Sequence, residues 1–296
     1  MLFQAFMPFE LDVDGDITIF GVRKGAGPPL LLLHGFPENH LMWHRIARRL
    51  AQKYSVVAID LRGYGKSSKP AGDDSHAIYS KRTMAKDCIA VMTKLGHAKF
   101  YICAHDRGAR VAHQLCIDHP SHVEKAILLD IAPTLAMYEQ ADMLFATAYY
   151  HWFLLIQKSP FPETLISANP EAFMDYQMGG RHSPTIQIFD SEAYDSYLEA
   201  MRDPAAVHAM CEDYRAAATI DLEHQREDIK EGRKIQCPLM ILWGKNGLIE
   251  KKYDAIAEWK KVSASTVEGE ALDCGHYIPE ELPETLLEKI ETFLTD

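Results

Sequence analysis

Short apolar runs bounded by turn residues punctuate the first 134 residues of this 296-residue chain, at Ile17–Val22, Pro29–Leu33, Tyr54–Ile59, Phe100–Ala104 and Ala126–Ile131. Amphipathic stretches with helical spacing lie between the later runs, at Trp43–Leu50, Met84–Leu95 and Ala109–Ile117. Strand-length runs alternating with helix-length ones predict an α/β fold, a mostly parallel sheet covered by helices on both faces. After Pro133 the pattern changes, and residues 135–225 read as successive helices without a buried strand. The strand–helix rhythm returns with Cys237–Trp243, a helix at 251–261, Thr266–Leu272 and a last helix at 284–294. The expected division is a core of residues 1–134 and 226–296, interrupted by a helical cap over 135–225.

Composition adds bounds rather than chemistry. A hydrophobic fraction of 47% with 25% charged residues is that of an ordinary globular chain. The net charge of −11 argues against nucleic-acid or anionic-membrane partners. Salt screens that charge within ~8–10 Å, so local groups decide what binds. Six cysteines show no C-x-x-C spacing and fit free buried thiols in a reducing compartment. Neither a signal-peptide pattern nor an apolar stretch of membrane-spanning length is visible, so a cytoplasmic protein is expected.

The chemistry concentrates at Ala104-His105-Asp106-Arg107-Gly108. An apolar strand, a small-x-nucleophile-x-small turn and a helical pattern form the context of a nucleophile elbow, with an aspartate in place of the more usual serine. A bland alternative is an Asp capping the next helix. A carboxylate nucleophile attacks saturated carbon and leaves an alkyl ester. The turn His34-Gly35-Phe36-Pro37 can bring the Phe36 N–H to that elbow, where with the Arg107 N–H it forms an oxyanion hole. His276, on Gly275-His276 after the last strand, sits where a late catalytic base belongs. The loop after Trp243 offers no carboxylate before Glu250, whereas Asp130 ends the strand Leu128-Leu129. Strand carboxyl ends collect functional groups in open α/β sheets. Asp130 is therefore the expected acid, with Glu250 in reserve, and Asp273 is expected to cap its local turn. Arg107 and Arg110 share one helix face, so both guanidinium forks can meet one carboxylate. A surface ion-pair role is the bland reading for them.

These motifs resemble the α/β-hydrolase dehalogenases, and most closely the fluoroacetate dehalogenases. The resemblance covers nearly the whole chain and rests on His34–Pro37, His105–Arg110, Leu129–Pro133, His151-Trp152 and Gly275-His276. Haloalkane dehalogenases and many epoxide hydrolases typically carry Trp directly after the nucleophile; here Arg107 replaces it. The resemblance implies cofactor-free hydrolysis of short 2-haloacids, a halide site at His151, Trp152 and Tyr214, and a homodimer. Read alone, that aromatic stripe is ordinary core packing. An epoxide hydrolase, using Tyr149, Tyr150 or Tyr214 as acids, and a non-catalytic small-molecule receptor remain the alternatives. His113, Asp118, His119 and His122 lack a matched second cluster, so no metal is expected. Gly63-Tyr64-Gly65-Lys66-Ser67 lacks phosphate-loop spacing and reads as a glycine turn.

Overall fold

The computed structural model describes residues 2–180 and 186–295; residues 181–185 of the expected cap lie outside them. Among the described residues, the strands are β1 (Met7–Asp14), β2 (Ile17–Lys24), β3 (Pro29–Leu33), β4 (Ser55–Ile59), β5 (Phe100–His105), β6 (Val123–Leu129), β7 (Leu239–Gly244) and β8 (Val267–Leu272). They form one sheet in the order β1-β2-β4-β3-β5-β6-β7-β8. From β4 to β8 every pairing is parallel, while β1–β2 and β2–β4 are antiparallel. Leu30–Leu33 and Val56–Ile59 are fully buried. Central parallel strands are covered on both faces, which is why they read as unbroken apolar runs.

β1 is absent from the expected elements. It is a half-exposed edge strand whose Phe9, Leu11 and Val13 alternate with exposed residues. Its signals were that strict alternation and the Asp14-Gly15 turn, where Gly15 takes a φ of 54°.

The helices outside the β6–β7 connection are α1 (His44–Leu50), α2 (Lys81–Lys94), α3 (Asp106–Asp118), α12 (Leu248–Lys252), α13 (Ala255–Lys261), α14 (Ile278–Glu281) and α15 (Pro283–Thr295). The single helix expected over 251–261 is two, because Asp254 takes an extended backbone and caps α13 through the Ala257 N–H at 2.9 Å. Between β6 and β7 lie α4 (Thr134–Glu139), α5 (Met143–Ala148), α6 (Tyr150–Leu155), α7 (Phe161–Ala168), α8 (Pro170–Met174), α9 (Ser191–Arg202), α10 (Pro204–Ala218) and α11 (Ile220–Lys230). Among the described residues no helix is long and apolar enough to cross a membrane. The chain leaves β3 toward β4 and returns to β5 on the other side, so a topological switch point lies between β3 and β5. The turns following β3, β5, β6, β7 and β8 share that end of the sheet.

Candidate active site

β5 ends one residue before Asp106, which adopts a φ of 41° and opens α3. Among the described residues only His76, Asp106 and Asp130 combine a side chain with positive φ. Such backbone costs about 1–3 kcal/mol and persists where surrounding structure holds it. Two of these three are therefore the expected nucleophile and its distant acid. The small residue at Gly108 has a steric cause: a Cβ there would collide with the His34 carbonyl, to which the Gly108 N–H donates at 2.9 Å. His34 fixes the opposite turn. Its Nδ1–H meets Gly35 O at 2.8 Å and its Nε2 accepts from the Leu61 N–H at 2.9 Å. Burial lowers its pKa to about 4, so it is a neutral strut rather than a base. The strut aims the Phe36 N–H at Asp106 Oδ2, 3.2 Å away.

Asp106 is buried, which opposes its ionisation. The pull of His276, Arg110, His105 and Arg107 outweighs that and holds its pKa below the ordinary carboxylate value. The group is thus a carboxylate at neutral pH.

His276 and Asp130 meet as expected, with Nδ1 and Oδ2 2.5 Å apart. A carboxylate oxygen there accepts an Nδ1–H, leaving Nε2 to take a proton. Asp130 Oδ1 accepts the Gly244 N–H at 2.9 Å. Gly244 is thus where β7 contributes, by a backbone donor in place of the missing carboxylate. A Cβ at Gly244 would strike the Gly275 carbonyl, so the glycine also lets the histidine loop lie against β7. Glu250 is elsewhere: its Oε2 accepts from Trp243 Nε1 at 2.6 Å. The loop around His276 is tied by Glu281, which accepts from the N–H groups of Gly275 at 2.7 Å and Tyr277 at 2.9 Å. Asp273 was expected to cap this turn; Glu281, on the following helix, holds it because both N–H groups point that way.

The two arginines differ from expectation. Both are buried, but only one keeps an open fork. Arg107 donates through Nε to Asp213 Oδ2 and through Nη2 to Asp213 Oδ1 and O, each at 2.8 Å. Its fork is spent on a protein carboxylate because a buried guanidinium without a counter-charge is costly. Only Nη1 is left without a partner. Arg110 has no carboxylate of its own among the described residues. Its Nη1 donates to Thr134 Oγ1 at 2.9 Å and Ala132 O at 3.2 Å, its Nη2 to the Met137 sulfur at 3.2 Å, and its Nε has no partner. A thioether is a weak acceptor, so the Nε–Nη2 edge is free to exchange it for a carboxylate.

Helices α6 and α10 roof this centre. Arg107 lies over the Tyr214 ring at 4.2 Å and Arg110 over Trp152 at 4.7 Å. The His151 ring is 5.5 Å from Tyr214 and stacks 5.9 Å from Phe36. His151, Trp152 and Tyr214 are therefore brought together beside both guanidinium groups. Tyr149 is 6.4 Å from the His276 ring, whereas Tyr150 turns toward half-exposed Tyr176 at 5.6 Å. The discounted cluster has ordinary partners: His113 packs edge-on against Trp259 at 5.0 Å and Asp118 pairs with Arg82 at 3.0 Å. Gly63 and Gly65 take φ of 89° and 49°, as a glycine turn requires.

A family described as the alpha/beta hydrolase fold matches residues 28–283. The chain belongs to the α/β-hydrolase family. This hydrolase is 42% identical over 295 residues to a fluoroacetate dehalogenase of Burkholderia sp, covering 100% of this chain and 96% of that one. It is 30% identical over 276 residues to a soluble epoxide hydrolase of Corynebacterium sp. (strain C12), covering 90% of each. The crystal structure of ALR0039 from Nostoc sp PCC 7120 superposes with a TM-score of 0.95 at 50% identity, covering 100% of this chain and 99% of that one. The resemblance implied by the motifs is thus matched over the full length of the hydrolase.

Sequence reasoning missed several groups in this hydrolase site. Asp213 is one, and Thr134, which positions Arg110, is another. His105 is a third: its Nε2–H donates to the His276 carbonyl at 2.8 Å, while Nδ1 faces Glu38 at 3.2 Å. Burial pulls its pKa down, but Glu38, with Asp106 and the His276 carbonyl, more than offsets that and raises it.

Proposed function

We propose that the protein is a hydrolytic dehalogenase of short 2-haloacids, converting fluoroacetate and water to glycolate and fluoride. One observation carries this: a buried elbow carboxylate, Asp106, faces a buried guanidinium, Arg110, whose hydrogen bonds go to a carbonyl, a hydroxyl and a thioether and to no carboxylate among the described residues. A substrate carboxylate completes that arrangement. In this reading residues 135–225 are the cap, and the homodimer and cytoplasmic location implied earlier are retained, to be checked by light scattering and cell fractionation.

Arg110 and the remaining Nη1 of Arg107 bind the carboxylate. Asp106 Oδ1 attacks the α-carbon as the carbon–halogen bond breaks, giving an ester and halide. Phe36 N–H already holds Oδ2, which becomes the ester carbonyl oxygen. Water then attacks the ester carbonyl while His276 Nε2 takes its proton. Phe36 and Arg107 N–H groups stabilise the oxyanion. When the intermediate collapses, the bond between Asp106 Cγ and Oδ1 breaks, Oδ1 departs with glycolate and takes the proton back from His276, and Asp106, now carrying the water oxygen, releases the remaining proton to solvent. Halide release from fluoroacetate and chloroacetate, run beside an epoxide panel, tests the assignment. Turnover of epoxides alone would transfer the site to the epoxide-hydrolase reading, which buried Tyr149 near His276 favours.

Arg110→Met should lower kcat/KM for haloacetates by roughly 10–200-fold, since hydrogen bonds to charged groups contribute ~1.5–3 kcal/mol each. Fluoroacetamide, which lacks the anion, should be a poor substrate of the wild type. Equal turnover of amide and acid would sink the carboxylate clamp.

His151, Trp152 and Tyr214 are assigned to the departing halide. Fluoride is small and basic, so donors there should matter more for it than for chloride. Trp152→Phe and Tyr214→Phe should each raise the chloroacetate-to-fluoroacetate ratio of kcat/KM in proteins whose melting matches wild type. An unchanged ratio in both would leave these residues as packing.

A further inference from the structure

Asp213 lies on α10 next to Tyr214, and its carboxylate is engaged by protein cations. Its carboxylate is saturated: Arg107 Nε and Nη2 and the Tyr64 hydroxyl at 2.7 Å reach it, as does the Lys81 ammonium. Lys81 Nζ is in turn 3.5 Å from Asp221 Oδ2. All these groups are buried. Arg107 therefore comes to the substrate already compensated in charge and fixed in plane, clamped between Asp213 and the Tyr214 ring. Arg110 does not, since its partners are a carbonyl, a hydroxyl and a thioether.

We propose that Asp213 is a positioning residue that restricts the site to substrates bearing a single carboxylate. By consuming the fork and the charge of Arg107, it leaves Arg110, which faces the Asp106 carboxylate but forks onto no acid, as the one open guanidinium and hence room for one substrate anion. The inference rests on the dehalogenase reading above. It makes a charge-selectivity prediction that a purely structural ion pair does not. A unit charge gained or lost within a few ångströms of a buried anion shifts its equilibrium by roughly one to three powers of ten.

The test is inhibition of chloroacetate turnover by acetate, a monoanion, and oxalate, a dianion of similar size. Asp213→Asn should improve oxalate relative to acetate by about tenfold or more. Lys81→Met removes a cation from the same cluster and should move the ratio in the opposite direction. The Asp213→Asn/Lys81→Met double variant restores the balance and should return the ratio toward wild type. Melting curves select the variants that fold, and either single variant is sufficient. A wild-type ratio in a folded single variant, or a ratio in the folded double variant that stays displaced from wild type, overturns the proposal. Arg110→Met separates this from failure of the underlying reading. If it leaves acetate inhibition intact, the carboxylate clamp is wrong; if it abolishes inhibition while Asp213→Asn and Lys81→Met leave the ratio fixed, only the role of Asp213 falls.

Discussion

His276→Asn protein mixed with excess fluoroacetate should release about one fluoride per active site and then stop, as expected for a covalent intermediate that cannot be hydrolysed. The first step needs only Asp106, toward whose ionisation Arg110, His105 and Arg107 still pull once His276 is replaced, and the groups that bind substrate. The second needs a base for water, and His276 is the imidazole whose Nδ1 is held by Asp130, which makes Nε2 its basic nitrogen. Mass spectrometry of the stalled protein should locate the adduct on the peptide containing Asp106. Asp106→Ala should release no halide at all. Steady turnover by that variant would remove Asp106 as the nucleophile, and a His276→Asn protein that turned over repeatedly would remove the base.

Asp130→Asn should slow ester hydrolysis by about 10²–10⁴-fold, the range reached when an acid that orients a catalytic histidine is made an amide. The size of the effect follows from the partners. Both Asp130 oxygens accept from donors, Nδ1–H of His276 and the N–H of Gly244. An asparagine has one acceptor oxygen and one donor nitrogen. If the oxygen stays on Gly244, the amide N–H faces His276 Nδ1 and forces the proton onto Nε2, where it blocks base catalysis. If the oxygen turns to His276, two N–H groups confront each other at Gly244. Neither orientation preserves the site. Glu250→Gln should be mild, because Glu250 is engaged with the Trp243 indole rather than with His276. A larger loss in single-turnover ester hydrolysis for Glu250→Gln than for Asp130→Asn would reverse the assignment.

The parts of the site legible in the sequence are those whose signal is local. Asp106 announces itself through an apolar run, two small flanking residues and a helix, all within about a dozen positions. His276 and Asp130 are legible because strand ends and chain order constrain where a base and an acid can lie. Asp213 carries no such signal, since its partner Arg107 is 106 positions away and the contact exists only once α10 is laid over α3. A weaker clue was present. Glu212-Asp213 interrupts the small and apolar residues of α10, and two adjacent acids on a helix otherwise suited to burial call for cationic partners. The same locality explains the fold. The central strands read clearly because both faces are buried, whereas β1 has little burial and reveals itself mainly by alternation.

The grip of α10 on α3 also bears on how such a molecule can be rebuilt. An insertion between two strands invites replacement by the corresponding segment of a relative, as if roof and floor were separate modules. Here they are not interchangeable piece by piece. A transplanted roof without an acid opposite Arg107 would entomb a bare guanidinium beside the elbow, a defect on the order of 3–5 kcal/mol when one member of a buried pair is lost. A floor with Trp in place of Arg107, set under this roof, would strand Asp213 between Lys81 and nothing else that can fork onto it. Chimeras across this junction should fold only when positions 107 and 213 travel together, so the two segments constrain each other's divergence although nearly the whole insertion separates them in sequence.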